Sequence, residues 1–310
     1  MSIIIPAYNE AESLTELYRE LSSVLASIPY KAEMIFVDDG STDGTLEIIT
    51  HLASKDKRIK ALSFSRNFGH QAALIAGIEA AQGAAVITMD ADLQHPPRLI
   101  PDMIKHWNEG HDVVYTIRRD TPDVSSFKLA AAKLFYRLMS RIANVDLPSN
   151  TADFRLISRP VVDKLMMMEE RSLFLRGLIH WVGFKRTSIA YDASSRHAGK
   201  TKYSLRKMLQ LAVNGITSFS DTPLLIALYF GFIVSALSFL YAFYVLYMRL
   251  FTTESLPGWA SILVAVLFLG GVQLITLGIV GLYLGKLYEE VKHRPRYIVQ
   301  STVGDVGDVR

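Results

Sequence analysis

Asp90, Asp92 and Gln94 occur at alternate positions just after the apolar run Ala85 to Met89. In an extended segment that spacing turns all three side chains to one side. Hard oxygen donors on one face suit Mg2+ or Mn2+. An isolated Asp-x-Asp is as readily a solvated turn, but its place at a strand end before Pro96-Pro97 favours a site. The segment Asp38-Asp39-Gly40-Ser41-Thr42-Asp43-Gly44 is open to two readings. It is either a turn whose Ser41 or Asp43 caps the next helix, or a loop that hydrogen-bonds a base or ribose. A further acid, Asp153, sits in Asn150-Thr151-Ala152-Asp153-Phe154-Arg155. The stretch 194–203 contains Arg196, Lys200 and Lys202 around Gly199. It reads as a basic loop closing over phosphates, or else as a solvated linker beside a membrane.

These residues need elements to position them. Ile3 to Ile5, Met34 to Val37, Ala61 to Phe64 and Ala85 to Met89 read as buried strands. Ala11 to Ser27, Thr45 to Ala53 and Gln71 to Ala81 read as the intervening helices. The alternation predicts an α/β fold built on a parallel sheet with right-handed crossovers. Ligands then bind beyond the carboxyl ends of the strands. The residues there are Pro6-Ala7-Tyr8-Asn9-Glu10, the Asp38 loop, Ser65-Arg66-Asn67-Phe68-Gly69 and Asp90-Ala91-Asp92. Three of those segments supply acids and one a guanidinium. No Gly-x-Gly-x-x-Gly follows the first strand, and Gly199-Lys200-Thr201 lacks the earlier glycine of a P-loop, so dinucleotide and simple NTPase readings fall away.

Composition narrows the setting. The 310 residues are half hydrophobic, with 33 Lys+Arg against 30 Asp+Glu, a net charge of +3 and no cysteine. Thiolate nucleophiles, disulfides and cysteine-held metals are excluded. The balanced charge gives no footprint for nucleic acid. Leu224 to Met248 and Trp259 to Gly285 contain no Asp, Glu, Lys or Arg until Arg249 and Lys286. Each is about the length that crosses a hydrocarbon core of about 30 Å as a helix. The amino-terminal run Met1 to Pro6 is too short for a signal-peptide core. Arg206 and Lys207 precede the first span, Lys286, Lys292, Arg294 and Arg296 follow the second, and the hairpin carries only Arg249. The positive-inside rule then places both termini in the cytoplasm. A stretch of about 126–143 has Lys133, Arg137 and Arg141 opposite Phe127, Ala131, Leu134, Leu138 and Ile142, as an interfacial helix would. Leu205 to Phe219 carries a second such stripe. Gly278, Gly281 and Gly285 would suit close helix contact and a homo-oligomer.

Taken together, Pro6 to Glu10, the Asp38 loop and Asp90-Ala91-Asp92 resemble the family 2 glycosyltransferases, whose nucleotide-sugar domain has the Rossmann-like GT-A fold. Ser65-Arg66-Asn67-Phe68-Gly69-His70-Gln71-Ala72-Ala73 and Asp90-Ala91-Asp92-Leu93-Gln94-His95-Pro96-Pro97 are similar to the subgroup that glycosylates polyprenyl phosphates. That subgroup includes dolichol-phosphate mannose synthases and bacterial polyprenyl-phosphate glucosyltransferases of the GtrB type, the latter being the nearer match. The resemblance implies a cytoplasmic glycosyltransferase domain over 1–203, an amphipathic juxtamembrane helix over 204–222, a transmembrane hairpin over 223–286 and a tail over 287–310. It places Pro6, Tyr8, Glu10 and Asp39 around the nucleoside, with Arg66, Asp90, Arg196, Lys200 and Lys202 completing the nucleotide-sugar site. It assigns Asp90, Asp92 and Gln94 to a divalent metal, Mg2+ or Mn2+, bridging the donor diphosphate. Asp153 becomes a base or a positioning residue, and Arg155 a partner for the acceptor phosphate. Thr201 stands where the family more often has Ser and keeps the hydroxyl.

The expected reaction is inverting transfer of a hexose, glucose from UDP-glucose, to undecaprenyl phosphate at the cytoplasmic face of a bacterial inner membrane. Its partners are the nucleotide sugar, the polyprenyl phosphate and membrane lipid. A GDP-mannose-dependent synthase and a catalytically silent nucleotide-sugar-binding scaffold are the alternatives.

Overall fold

The computed structural model describes residues 1–118, 151–168, 170, 175–191, 220–251 and 258–306. The stretch at about 126–143, the basic loop 194–203 with Arg196, Lys200 and Lys202, and the amphipathic stripe ending at Phe219 lie outside the described residues. The described residues fall into two units. One holds a sheet and includes the chain from Arg294 onward; the other holds two long helices and ends at His293.

The first unit opens with β1 (Ser2–Ala7), α1 (Ala11–Ser27), β2 (Glu33–Asp38), α2 (Thr45–Lys55), β3 (Ile59–Phe64), α3 (His70–Ala80) and β4 (Ala85–Thr88). Ile3, Ile4 and Ile5 are fully buried, because β1 lies between two parallel neighbours and helices cover the sheet. Leu14, Leu17, Leu21 and Leu25 form the buried stripe of α1, at the spacing that returns one face of a helix to the core. The middle of helix α3, Ala72 to Ile78, is apolar and buried on every side. It packs closely on β1: a Cβ on Gly77 would lie 2.1 Å from Ile4 Cγ2, so only glycine fits there. A 3-10 turn (Pro97–Leu99) leads into α4 (Ile100–Asn108), followed by β5 (Val113–Arg118), β6 (Thr151–Ser158), α5 (Arg159–Met166), α6 (Leu175–Trp181) and β7 (Arg186–Tyr191).

The sheet has eight strands in the order β7-β5-β6-β4-β1-β2-β3-β8, where β8 is Val299–Val303. Strands β4, β1, β2 and β3 run parallel. These four are the strands that the sequence pattern predicts to be parallel; the later strands make the whole sheet mixed. Strand β6 is antiparallel to both β4 and β5, and β8 is antiparallel to β3. The segment 287–310, read from sequence as a tail, therefore contains an edge strand of the sheet. Tyr297 fastens that return: its ring stacks on Phe64 at 5.0 Å and its hydroxyl donates to Glu79 Oε2 at 2.7 Å. Arg296 Nη2 donates to the Met168 carbonyl at 2.7 Å.

The second unit consists of α7 (Thr222–Phe251) and α8 (Trp259–Val291). Thr222–Met248 and Val264–Val291 are long and apolar enough to cross a membrane, each with a mean hydropathy of 2.2. Large apolar side chains such as Phe232 and Leu274 are exposed along both. Apolar surface on this scale requires a nonaqueous surrounding or a partner. Tyr283 donates to the Ser220 carbonyl at 2.6 Å and ties the base of the hairpin together. A Cβ on Gly278, Gly281 or Gly285 would meet nothing within 4 Å among the described residues, so these glycines do not serve a close approach of α7 to α8.

Candidate functional site

The carboxyl ends of β1 and β2 are laced together by short side chains. Asn9 takes a positive φ of 57°, and its Oδ1 accepts from the Thr42 amide at 2.8 Å. Its own amide donates to Ser41 Oγ at 3.0 Å. The Glu10 amide donates to Thr45 Oγ1 at 2.9 Å, and Asp43 receives the Ala11 and Thr45 amides. Pro6 is buried inside β1, whereas the Tyr8 ring is exposed beyond it. Glu10 faces the other acids. Burial chiefly raises its pKa, and the charges of Asp92, Asp90 and Asp43 add to that against a hydrogen bond from Ser13.

Asp38 and Asp39 serve the loop in different ways. Asp38 accepts from Ser63 Oγ at 2.8 Å and from the Ser41 amide at 3.1 Å. Asp39 is buried and accepts the amides of Phe68 at 2.6 Å and Gly69 at 2.9 Å, fixing the turn that enters α3. Arg66 in that turn is exposed and lies over the Phe68 ring at 4.5 Å. Both loops can meet only because residue 40 has no side chain. A Cβ on Gly40 would lie 2.5 Å from the Arg66 carbonyl carbon, and its φ is +69°. Gly40→Ala is therefore expected to destabilise the fold by roughly 1–3 kcal/mol, combining positive-φ strain with displaced backbone. Chemical denaturation of the detergent-solubilised protein would check this, and a loss below about 0.5 kcal/mol would refute the close approach.

Beyond β4 the chain bends at 91–93 instead of staying extended, and Gln94 faces Asp92. Its amide nitrogen and its backbone N–H both donate to the Asp92 carboxylate, the latter at 3.1 Å. Its Oε1 accepts from Arg118 Nη1 at 3.2 Å. Leu93, between them, takes a positive φ of 61°, a conformation that costs a bulky residue energy and clusters at functional sites. His95 is buried, stacks on Phe154 at 5.3 Å, and accepts the Asp90 amide on Nδ1 at 2.9 Å. One oxygen of the pair stands out: Asp90 Oδ1 is buried and has no hydrogen-bond partner. A buried carboxylate oxygen without a donor is costly, and a bound cation would satisfy it. His106, Glu109 and His111 also bring ligand atoms within 4.8 Å of one another. They precede β5, at the opposite end of the sheet from Asp90, since Val113 and Val86 both pair with Ile157.

The third part of the site is a cluster that the sequence motifs only half reveal. Asp153 and Arg155 lie on the same face of β6, two residues apart. Arg155 is buried, its Nη2 donates to Asp153, and its Nε has no hydrogen-bond partner. Burial lowers its pKa to about 10 despite the neighbouring Asp153. Arg176, which carries no motif in the sequence, reaches the same carboxylate from α6. Its Nε donates to Asp153 Oδ1 at 2.9 Å and its Nη2 to Oδ2 at 2.6 Å. His70 Nε2 lies 3.6 Å from Asp153 Oδ2 and 3.5 Å from Asp90 Oδ1, so one imidazole links the two acids. Burial alone would raise the Asp153 pKa. Hydrogen bonds from Arg176 and His70, with the charges of Arg155 and Arg176, reverse this and hold it far below the usual carboxylate range. For His70 burial again opposes, but Asp153 and Asp90 prevail and its pKa is raised.

The backbone explains why these groups converge. Thr88 donates its hydroxyl to the Asp153 carbonyl at 2.5 Å, joining β4 to β6 two residues before Asp90. The Leu175 amide donates to Gln71 Oε1 at 3.3 Å, joining the first turns of α6 and α3. Arg176 and His70 are the adjacent residues.

A model of glycosyl transferase family 2 matches residues 2–166. The "uncharacterized glycosyltransferase YkcC" of Bacillus subtilis (strain 168) is 46% identical over 303 residues, spanning 98% of this chain and 94% of the relative. The "bactoprenol glucosyl transferase" of Shigella phage SfV is 40% identical over 301 residues, spanning 97% of this chain and 98% of that one. Among solved structures, S. aureus TarS 1-349 in complex with UDP-GlcNAc aligns with a TM-score of 0.47 at 18% identity. That alignment covers 71% of this chain and 67% of the other.

Proposed function

The chain belongs to glycosyl transferase family 2, and we propose that it moves glucose from UDP-glucose to a polyprenyl phosphate at the cytoplasmic face of a bacterial inner membrane. The observation that carries this reading is the end-to-end match, apolar helices included, to a relative named for glucosyl transfer to bactoprenol. The basic flanks of the two helices, with Arg249 alone in the connection, support the orientation.

Asp90 and Asp92 are the residues that would hold Mg2+ or Mn2+. Their hard oxygens, and the buried Asp90 Oδ1 with no donor, fit such an ion. When bound, the ion supplies a Lewis acid for the charge that develops on the departing nucleoside diphosphate. Gln94 orients Asp92 from one side, and His95 holds the Asp90 backbone from the other. The exposed Tyr8 and the cross-linked 38–45 loop frame the nucleoside, with Asp39 fixing the 66–69 turn that presents Arg66. The nucleophile is an oxygen of the lipid phosphate. With a second pKa of about 6, that phosphate is already largely dianionic at pH 7, so attack at the anomeric carbon needs positioning more than proton removal.

Transfer of labelled sugar into the organic phase tests the proposal, using the full chain in detergent with undecaprenyl phosphate, Mg2+ or Mn2+, and UDP-glucose, GDP-mannose or UDP-N-acetylglucosamine. UDP-glucose is expected to label the lipid, and a chelator to remove at least about 99% of that rate. Labelling from GDP-mannose alone would replace the donor. No labelling from any donor by folded protein would overturn the synthase.

A further inference from the structure

Helix α4 ends in a turn that gathers two imidazoles and a carboxylate. Gly110 takes a φ of 85° and its amide donates to the Trp107 carbonyl at 2.9 Å, which turns the chain back on the helix end. The His106 carbonyl then accepts twice from His111, from its amide at 3.2 Å and from Nδ1 at 3.1 Å. A carbonyl can only accept, so the proton of the neutral His111 ring is on Nδ1 and the lone pair is on Nε2. A ring fixed in this way by a backbone carbonyl is the form that metal-binding histidines take. His106 Nδ1 lies 3.1 Å from Glu109 Oε2, and the two imidazoles meet edge to face with centroids 5.8 Å apart. One ligand atom from each of the three residues lies within 4.8 Å of the other two. Ligands bound about 2.0–2.1 Å from a tetrahedral ion are about 3.3 Å from one another, so the third group would close by at most about 1.5 Å.

The helix end alone does not account for the cluster. Its carbonyls favour Lys105 and His106 in the last turn but disfavour the Glu109 carboxylate at the same end. A cation among the three side chains reverses that penalty. Asp112, the next acid along the chain, is engaged by Ser158 Oγ, which donates to it at 2.9 Å. His106 and His111 are half-buried and Glu109 is exposed, so an ion can enter from solvent.

We propose that His106, Glu109 and His111 form a second metal site, for Zn2+, with water in the fourth position. Two imidazole nitrogens and one carboxylate oxygen suit Zn2+, whereas Mg2+ prefers the all-oxygen setting of Asp90 and Asp92. The site precedes β5, at the opposite end of the sheet from those acids, so its ion does not reach the transfer centre. There it ties the last turn of α4 to the start of β5 and stabilises that corner of the sheet. The inference stands independently of the transfer reaction.

The test is Zn2+ binding to the full chain, free of any histidine tag, by equilibrium dialysis in detergent with a large excess of Mg2+ to occupy Asp90 and Asp92. Wild type is expected to bind one Zn2+ with a Kd in the micromolar range. His106→Ala and His111→Ala should each weaken binding on the order of a hundredfold, and Glu109→Gln about tenfold. Zn2+ at about a hundred times its Kd should raise the melting temperature of wild type by about 5 °C and leave both histidine variants unmoved. Asp92→Asn should still bind Zn2+. Glu109 is exposed, so Glu109→Gln carries the comparison if either histidine variant fails to fold. No binding by wild type, or binding that all three variants keep, would overturn the site. So would Zn2+ lost from Asp92→Asn but retained by the histidine variants, which would place the ion at the acids after β4.

Discussion

Asp90→Asn is expected to lower sugar transfer about a thousandfold or more while leaving the fold as stable as before, or more so. The activity loss follows from the charge of the site. Stabilising a departing diphosphate by a divalent ion is worth several kcal/mol, and each 1.36 kcal/mol is a factor of ten. Removing one of two acidic ligands sacrifices much of that. The stability change is small or of opposite sign because, without a cation, the His70 imidazole 3.5 Å from Asp90 Oδ1 is set against a buried oxygen with no hydrogen-bond donor and the nearby charge of Glu10. An amide relieves both penalties while retaining the shape. The melting temperature should therefore rise or hold in chelator, and Mg2+ or Mn2+ should raise it for wild type but not for the variant. Activity within tenfold of wild type would show that Asp90 is not a ligand.

The central strands were legible because their residues answer to local rules. Ile3 to Ile5 and Met34 to Val37 are continuous β-branched or apolar runs, as strands buried on both faces must be, and α1 shows its leucine stripe directly. Strand β6 was less legible. Its residues Arg155–Ser158 pair with β4 across a wide sequence gap, and Asp153 and Arg155 interrupt the apolar pattern that would have marked it. Strand β8 is a short edge strand with exposed Gln300, Ser301 and Thr302, and it follows a membrane-length helix. Nothing local announces that the chain returns to the sheet there. At the site, the position of Asp90 and Asp92 after β4 could be read from the strand pattern, whereas the hydrogen bonds of Gln94 to Asp92, next to Leu93 at a positive φ, could not. Arg176 had no motif. The one signal available was Asp153-x-Arg155 on a single strand face, since a buried pair of opposite charges at the rim of a site invites a further charged partner.

Asp153→Ala is expected to destabilise the protein by about 3–5 kcal/mol, among the largest effects of any single substitution outside the apolar core. Arg155 is the reason. It is 2% exposed, its Nε already lacks a partner, and Asp153 is its one acidic neighbour in hydrogen-bond contact among the described residues. Alanine would leave a buried guanidinium uncompensated, with its fork pointing into an empty volume. Asn at the same position keeps an acceptor and the volume, so Asp153→Asn should cost less, about 1–3 kcal/mol. The pH dependence has a fixed sign. The folded pKa of Asp153 is depressed below its unfolded value of about 3.9, so its contribution is fully present above about pH 5 and is lost as pH falls through the folded pKa. The gap in stability between wild type and Asp153→Asn should be flat from pH 7 to about pH 5 and narrow below about pH 4. Urea denaturation followed by the fluorescence of Trp107 and Trp181, with Trp259 of α8 replaced by Phe, would measure both. A cost below about 1 kcal/mol for Asp153→Ala, or a gap that widens on acidification, would mean that Arg155 is not held by this carboxylate.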